Sequence, residues 1–144
     1  MRERRAAREV TLQALYAQEL SEDSIKKVED TVINTSELSE ELRKFSRNLF
    51  EVSVNHKDKV DYYIKVRSEN WEFDRIAIVD RLILRMAITE FLYFDDIPPK
   101  VSISEAIEIA KKFSTDDSSS FVNGILDAVL RMIQPDKEEK EESL

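Results

Sequence analysis

Ile76-Ala77-Ile78-Val79-Asp80-Arg81-Leu82-Ile83-Leu84-Arg85-Met86-Ala87-Ile88-Thr89-Glu90-Phe91-Leu92-Tyr93-Phe94 is apolar on more than one side when wound as an α-helix. Ile76, Val79, Ile83, Met86 and Ala87 form one stripe. Ala77, Leu84, Ile88 and Phe91 form a second, and Ile78 and Leu82 occupy a third side. A helix with this distribution is buried by several neighbours, so the segment is expected to be the central helix of a helical domain. Asp96-Ile97-Pro98-Pro99 stops it, because proline disfavours helical geometry in the residue before it and lacks an amide donor.

Working outward, the other segments are amphipathic at helical spacing. Leu38, Leu42, Phe45, Leu49 and Val52 alternate steps of four and three, with charged residues between them. A break at Ser21 to Asp23 precedes a short helix carrying Ile25, Val28, Val32 and Ile33, and Val60, Tyr63 and Ile64 mark another. Trp71 and Phe73 fall in a polar connector, where aromatics seal junctions between bundles. Beyond the prolines, Ser102 and Glu105 match a capping box for a helix with Ile103, Ala106, Ile107 and Ala110 inside. Asp117 or Ser118 is available to cap a last helix carrying Phe121, Ile125, Leu126, Val129 and Ile133. The expectation is an all-α chain of about seven helices in two small bundles that share the 76–94 helix. Residues 1–135 form one helical domain, and the acidic run Asp136 to Leu144 forms a disordered tail.

Composition supports this. One glycine and three prolines among 144 residues cannot serve the tight turns of a sheet protein. The one glycine, Gly124, falls inside the last helix and weakens it by about 1 kcal/mol relative to alanine. Some neighbour is therefore expected to come too close for a Cβ, either in tight helix packing or in a functional approach to the backbone.

The same counts remove most chemistry. With no cysteine, disulfides and thiolate sites are excluded, and one histidine, His56, leaves no room for a metal cluster. No glycine-rich phosphate loop, HExxH or GxSxG motif occurs, and carboxylates such as Glu105 and Glu108 read as the wet face of a helix. We expect no enzyme, cofactor or metal. The charged first residues lack a secretory signal, and no apolar run is long enough to span a bilayer, which points to the cytoplasm.

A net charge of −8 repels nucleic acid as a whole, so any RNA contact must be local. Arg2, Arg4, Arg5 and Arg8 crowd the first eight residues. Basic charge at a helix N-terminus opposes the macrodipole, so the placement does not serve helix stability. It is either a solvated charged end or a phosphate-binding arm, and Tyr16 is either a stacking ring for RNA or a residue at a bundle edge.

Four blocks resemble the NusB family over most of the chain. They are Arg8-Glu9-Val10 with Gln13-Ala14-Leu15-Tyr16; Val79-Asp80-Arg81 with Ile83-Leu84-Arg85; Ile97-Pro98 with Ser104-Glu105-Ala106-Ile107-Glu108-Ile109-Ala110-Lys111; and Ser118 with Phe121-Val122-Asn123-Gly124-Ile125-Leu126-Asp127. The resemblance implies a NusB-like fold and a transcription antitermination factor that binds boxA RNA of nascent ribosomal-type transcripts. It also implies the ribosomal protein NusE as partner, with other Nus factors on RNA polymerase. By the same resemblance Arg2, Arg4, Arg5, Arg8, Tyr16, Phe121 and Asn123 meet RNA, and Asp80, Asp117 and Ser118 meet the protein partner. Two positions depart from the family pattern: Ser114 stands where many relatives have glycine, and Ser120 where a lysine often precedes the aromatic. Losing that lysine lowers the expected RNA affinity in the absence of NusE.

Exposed apolar residues on helix faces would allow a homodimer. Two alternatives keep the fold and change the role. One is a protein-binding helical adaptor. The other is a stand-alone relative of the NusB-like RNA-binding domain of ribosomal RNA methyltransferases, since these 144 residues leave no room for a catalytic domain.

Overall fold

The computed structural model describes the backbone of residues 2–68 and 73–142 and the side chains of residues 4–68 and 73–134. Trp71 and the side chains of Arg2 and of the acidic tail lie outside these described residues. Among them the chain forms seven α-helices and no strand, as the hydrophobic spacing predicts. The chain divides into two compact units, Met1–Lys57 and Asp58–Leu144.

The first unit contains α1 (Arg2–Ser21), α2 (Ile25–Val28), a π-helical turn (Glu29–Ile33) and α3 (Glu40–Asn55). Glu22 ends α1 with φ 58, the left-handed conformation usually taken by glycine, while its amide still donates to the Gln18 carbonyl at 3.0 Å. Ser24 and Ser39 then cap α2 and α3, accepting from the amides of Lys27 and Leu42 at 3.2 and 3.3 Å. α1 packs on α3 along small, fully buried residues: Ala7, Thr11 and Ala14 are spaced by four and three. The Thr11 and Ser46 hydroxyls meet there at 2.8 Å, so these two buried groups satisfy each other. Leu15, Ile33, Leu49 and Phe50 complete the core.

The second unit contains α4 (Lys57–Arg67), a 3-10 turn (Phe73–Arg75), α5 (Ile78–Tyr93), α6 (Pro99–Phe113) and α7 (Asp116–Glu142). α5 is the buried helix expected from its sequence: every residue from Leu82 to Phe91 is buried, with α6 and α7 packed against it. Two polar links tie it down. Arg85 donates from Nε and Nη2 to Asp61 of α4 at 3.0 and 3.1 Å, with both residues buried. Ser102 of α6 donates to Glu90 at 2.8 Å.

That second link corrects the capping-box expectation. α6 begins three residues earlier than Ser102, at Pro99, because proline is well placed in a first turn where its missing amide needs no partner. Ser102 and Glu105 are therefore buried interior residues. The cap of α7 is also displaced, since the Thr115 hydroxyl accepts from the Ser118 amide at 3.1 Å and leaves Asp116 and Asp117 in the first turn. There two negative charges favour the helix dipole. α7 continues through Pro135 along the acidic run to Glu142. Glu and Lys, which dominate that run, are good helix formers.

Gly124 contradicts the expectation of crowding within the chain. It lies exposed on α7, and a Cβ built on it meets nothing within 4 Å.

Candidate functional site

The first turns of α1 carry the basic residues, and the structure separates their roles. The guanidinium carbons of Arg4 and Arg8, one turn apart, lie 4.6 and 5.5 Å from the centre of the Phe45 ring on α3. Cations over an aromatic face gain from its quadrupole. Arg8 is only 2% exposed, so its charge is held inside the first unit. Arg4 and Arg5 are partly exposed and remain the described arginines of the segment with surface to offer a phosphate. Tyr16, two turns further along α1, is 42% exposed, which leaves ring surface for stacking. The sequence did not single out Phe45, because its position in an apolar stripe hides the fact that its ring receives two arginines.

A second electrostatic feature of this unit also had no sequence signal. Glu29, in the π-helical turn, has its carboxyl pushed up from 4.5 to about 7. Burial is the main cause, followed by a hydrogen bond to the Glu51 carboxyl and repulsion from its charge, against the weaker pull of Arg47 and Lys26.

The second unit brings together the residues assigned to the partner. Asp80, in the first turn of α5, lines a cavity of about 310 Å³ with Asp117, Ser118 and Phe121 from the first turns of α7. Arg75, Ile76 and Ala77 form the rest of its wall. Asp80 is only 6% exposed, and its Oδ1 is buried with no hydrogen-bond partner. A buried acceptor without a donor carries a desolvation penalty of roughly 1–3 kcal/mol, which an arriving donor would relieve. Asp117, exposed at the same cavity, adds a second acidic side chain, against the single basic one of Arg75.

Phe121, assigned to RNA, therefore shares this acidic cavity with the partner residues, whereas Asn123 is exposed on another side of α7. Ile76 and Ala77 were read only as members of the apolar stripes of the 76–94 helix, and Arg75, just before that pattern, was not singled out. The family departures also acquire a local account. Ser114 caps α6 with φ −135, a backbone open to any residue, and donates to the Ser118 hydroxyl at 2.9 Å. Ser120 is exposed and leaves the α7 surface without the positive charge of the usual lysine.

A model of the NusB family matches residues 5–131. A transcription antitermination protein NusB from Chloroherpeton thalassium is 42% identical over 132 residues, 91% of this chain. The chain spans 63% of that relative's length. Among solved structures, T. maritima NusB superposes with TM-score 0.80 at 34% identity, covering 89% of this chain and 90% of that one. A chain in a crystal structure of the antitermination factors NusB and NusE in complex with double-stranded RNA shares the fold, with TM-score 0.80 at 23% identity, covering 92% of this chain and 98% of that one.

Proposed function

Because the chain belongs to the NusB family, we propose that it is a non-enzymatic, cytoplasmic antitermination factor. It binds boxA RNA of nascent ribosomal RNA transcripts together with NusE and joins other Nus factors on RNA polymerase. The observation that carries this reading is the separation of charge. Two partly exposed arginines, Arg4 and Arg5, sit together at the start of α1 in a chain of net charge −8. An acidic cavity with an unsatisfied buried acceptor lies in the second unit.

The two features suit different ligands. Arg4 and Arg5 offer paired donors to phosphates, and Tyr16 offers a ring to an unstacked base. Asp80 and Asp117 attract a basic protein, and a ribosomal protein that binds RNA is basic. In this reading Arg2, Arg4, Arg5 and Tyr16 meet RNA, Asp80, Asp117 and Ser118 meet NusE, and Asn123 and Phe121 lie toward those ligands. Arg8 supports the arm from within. No described helix is long and apolar enough to cross a membrane, in keeping with a role on nascent RNA.

The test is fluorescence anisotropy of a labelled boxA RNA with and without NusE, alongside calorimetric titration of NusE into the protein. RNA should bind more tightly with NusE and much less after Arg2, Arg4 and Arg5 become alanine. Asp117→Lys should weaken NusE binding. If RNA is not retained under either condition, the protein is instead an adaptor for proteins alone.

A further inference from the structure

Gly124 is the chain's one glycine, and the fold gives no internal reason for it. It sits within α7 without a left-handed φ, so no turn requires it, and an added Cβ would stand in open space. An exposed helix-interior glycine weakens its helix, and alanine would fit here without any rearrangement. Its position on α7 is informative. Asp117, Phe121, Gly124 and Ala128 follow one another at steps of four, three and four, so they lie on one stripe of the helix surface. The first two line the cavity that holds the buried, unpartnered Oδ1 of Asp80. Beyond the cavity mouth the stripe therefore passes from an aromatic to a residue with no side chain and then to a methyl group.

We infer that Gly124 keeps open a track on α7, along which the main chain of a basic protein partner lies when one of its cationic or other donor side chains enters the cavity to reach Asp80. This inference rests on the proposed protein partner and adds a residue and a docking direction to it. Charge selects protein over RNA as the occupant. Asp117 is exposed on the stripe itself, Asp116 and Asp127 are exposed on the neighbouring face of α7, and Arg131, one turn beyond Asp127, is held by it in an ion pair. Phosphates would be repelled from such a surface, whereas lysine and arginine would be drawn to it. A missing side chain on a helix lets a partner's backbone approach closely, and the full desolvation of such a contact makes it sensitive to one added group.

The experiment measures both thermal stability and NusE affinity of the full chain for wild type, Gly124→Ala and Gly124→Leu, with Asp117→Lys as reference. Gly124→Ala should raise the Tm by about 3–5 °C, since it strengthens the helix and meets nothing. The same change should weaken NusE binding, and Gly124→Leu should weaken it by about tenfold or more by obstructing the track. NusE affinity within twofold of wild type for Gly124→Leu, while Asp117→Lys loses binding, would overturn the track and leave the proposed function standing. Failure of the wild type itself to bind NusE would overturn both. If Gly124→Leu weakens binding of boxA RNA in the absence of NusE and leaves NusE affinity intact, RNA is the occupant and the inference is wrong.

Discussion

Asp61→Asn tests whether the second unit depends on its buried ion pair. Arg85 reaches Asp61 through two bonds of 3.0 and 3.1 Å, with side chains 3% and 7% exposed. An exposed pair would contribute less than about 1 kcal/mol, because water screens both charges. Here the amide of the variant keeps the shape, removes the negative charge and turns an NH2 group toward a guanidinium that has nothing to accept it. Removing one partner of a buried pair costs about 3–5 kcal/mol, a large share of the roughly 5–15 kcal/mol that holds an ordinary domain folded. At about 3–5 °C per kcal/mol for a chain of this size, the Tm should fall by roughly 10–20 °C. Urea unfolding followed by circular dichroism measures the loss, and the double variant Asp61→Leu with Arg85→Met should recover most of it, because neither charge then needs a partner. A loss under about 1 kcal/mol for Asp61→Asn would refute the idea that this pair clamps α4 to α5. Because α5 presents Asp80 to the cavity, the same variant should weaken NusE binding before it abolishes folding.

Two further perturbations separate electrostatic roles in the first unit. Because the Glu29 carboxyl is raised from 4.5 to about 7, the folded state holds a proton that the unfolded chain releases; the stability this contributes is complete below about pH 4.5 and is lost as pH rises through about 7. Urea midpoints should accordingly decline between pH 5 and pH 8, and Glu29→Gln should flatten that decline; an unchanged slope would remove Glu29 as its source. Arg4→Ala and Arg5→Ala should each reduce the salt slope of RNA binding by about 0.7 with little change in Tm, whereas Arg8→Ala should lower stability by about 2 kcal/mol through loss of the buried stack on Phe45. Equal Tm losses at all three positions would contradict that division.

The helices were legible because burial imprints a period on the sequence. The 76–94 segment is apolar on three sides and becomes α5, enclosed by α6 and α7. Helix boundaries were less legible where two signals competed. Ser102 has the spacing of a capping box, but Pro99 is equally suited to a first turn and starts the helix earlier. Asp117 resembles a cap, yet Thr115, two residues before it, takes that role. Site residues were partly legible. Asp80 and Asp117 were named through a family resemblance, but their meeting across one cavity depends on the packing of α5 with α7, which no local pattern encodes. The burial of Arg8 was invisible for the same reason. An arginine in a basic run looks like surface charge until Phe45 arrives from another helix.

Both departures from local stability in the second unit bear on one stretch of surface. Asp80 is buried with an unsatisfied oxygen, a cost that an apolar side chain would not carry. Gly124 weakens α7, although alanine would fit. Folding by itself favours neither residue, and Asp117 and Phe121 connect them, since both line the cavity with Asp80 and both lie on the α7 stripe that continues to Gly124; a common cause is more economical than two separate accidents. A partner that supplies a donor to Asp80 and a backbone over Gly124 would offset both penalties at once. The binding energy it gains would then include the relief of costs already present in the free protein. Double-mutant cycles between Asp80→Asn and Gly124→Leu should show this as coupling in NusE binding, because each change disturbs the seat on which the other contact depends.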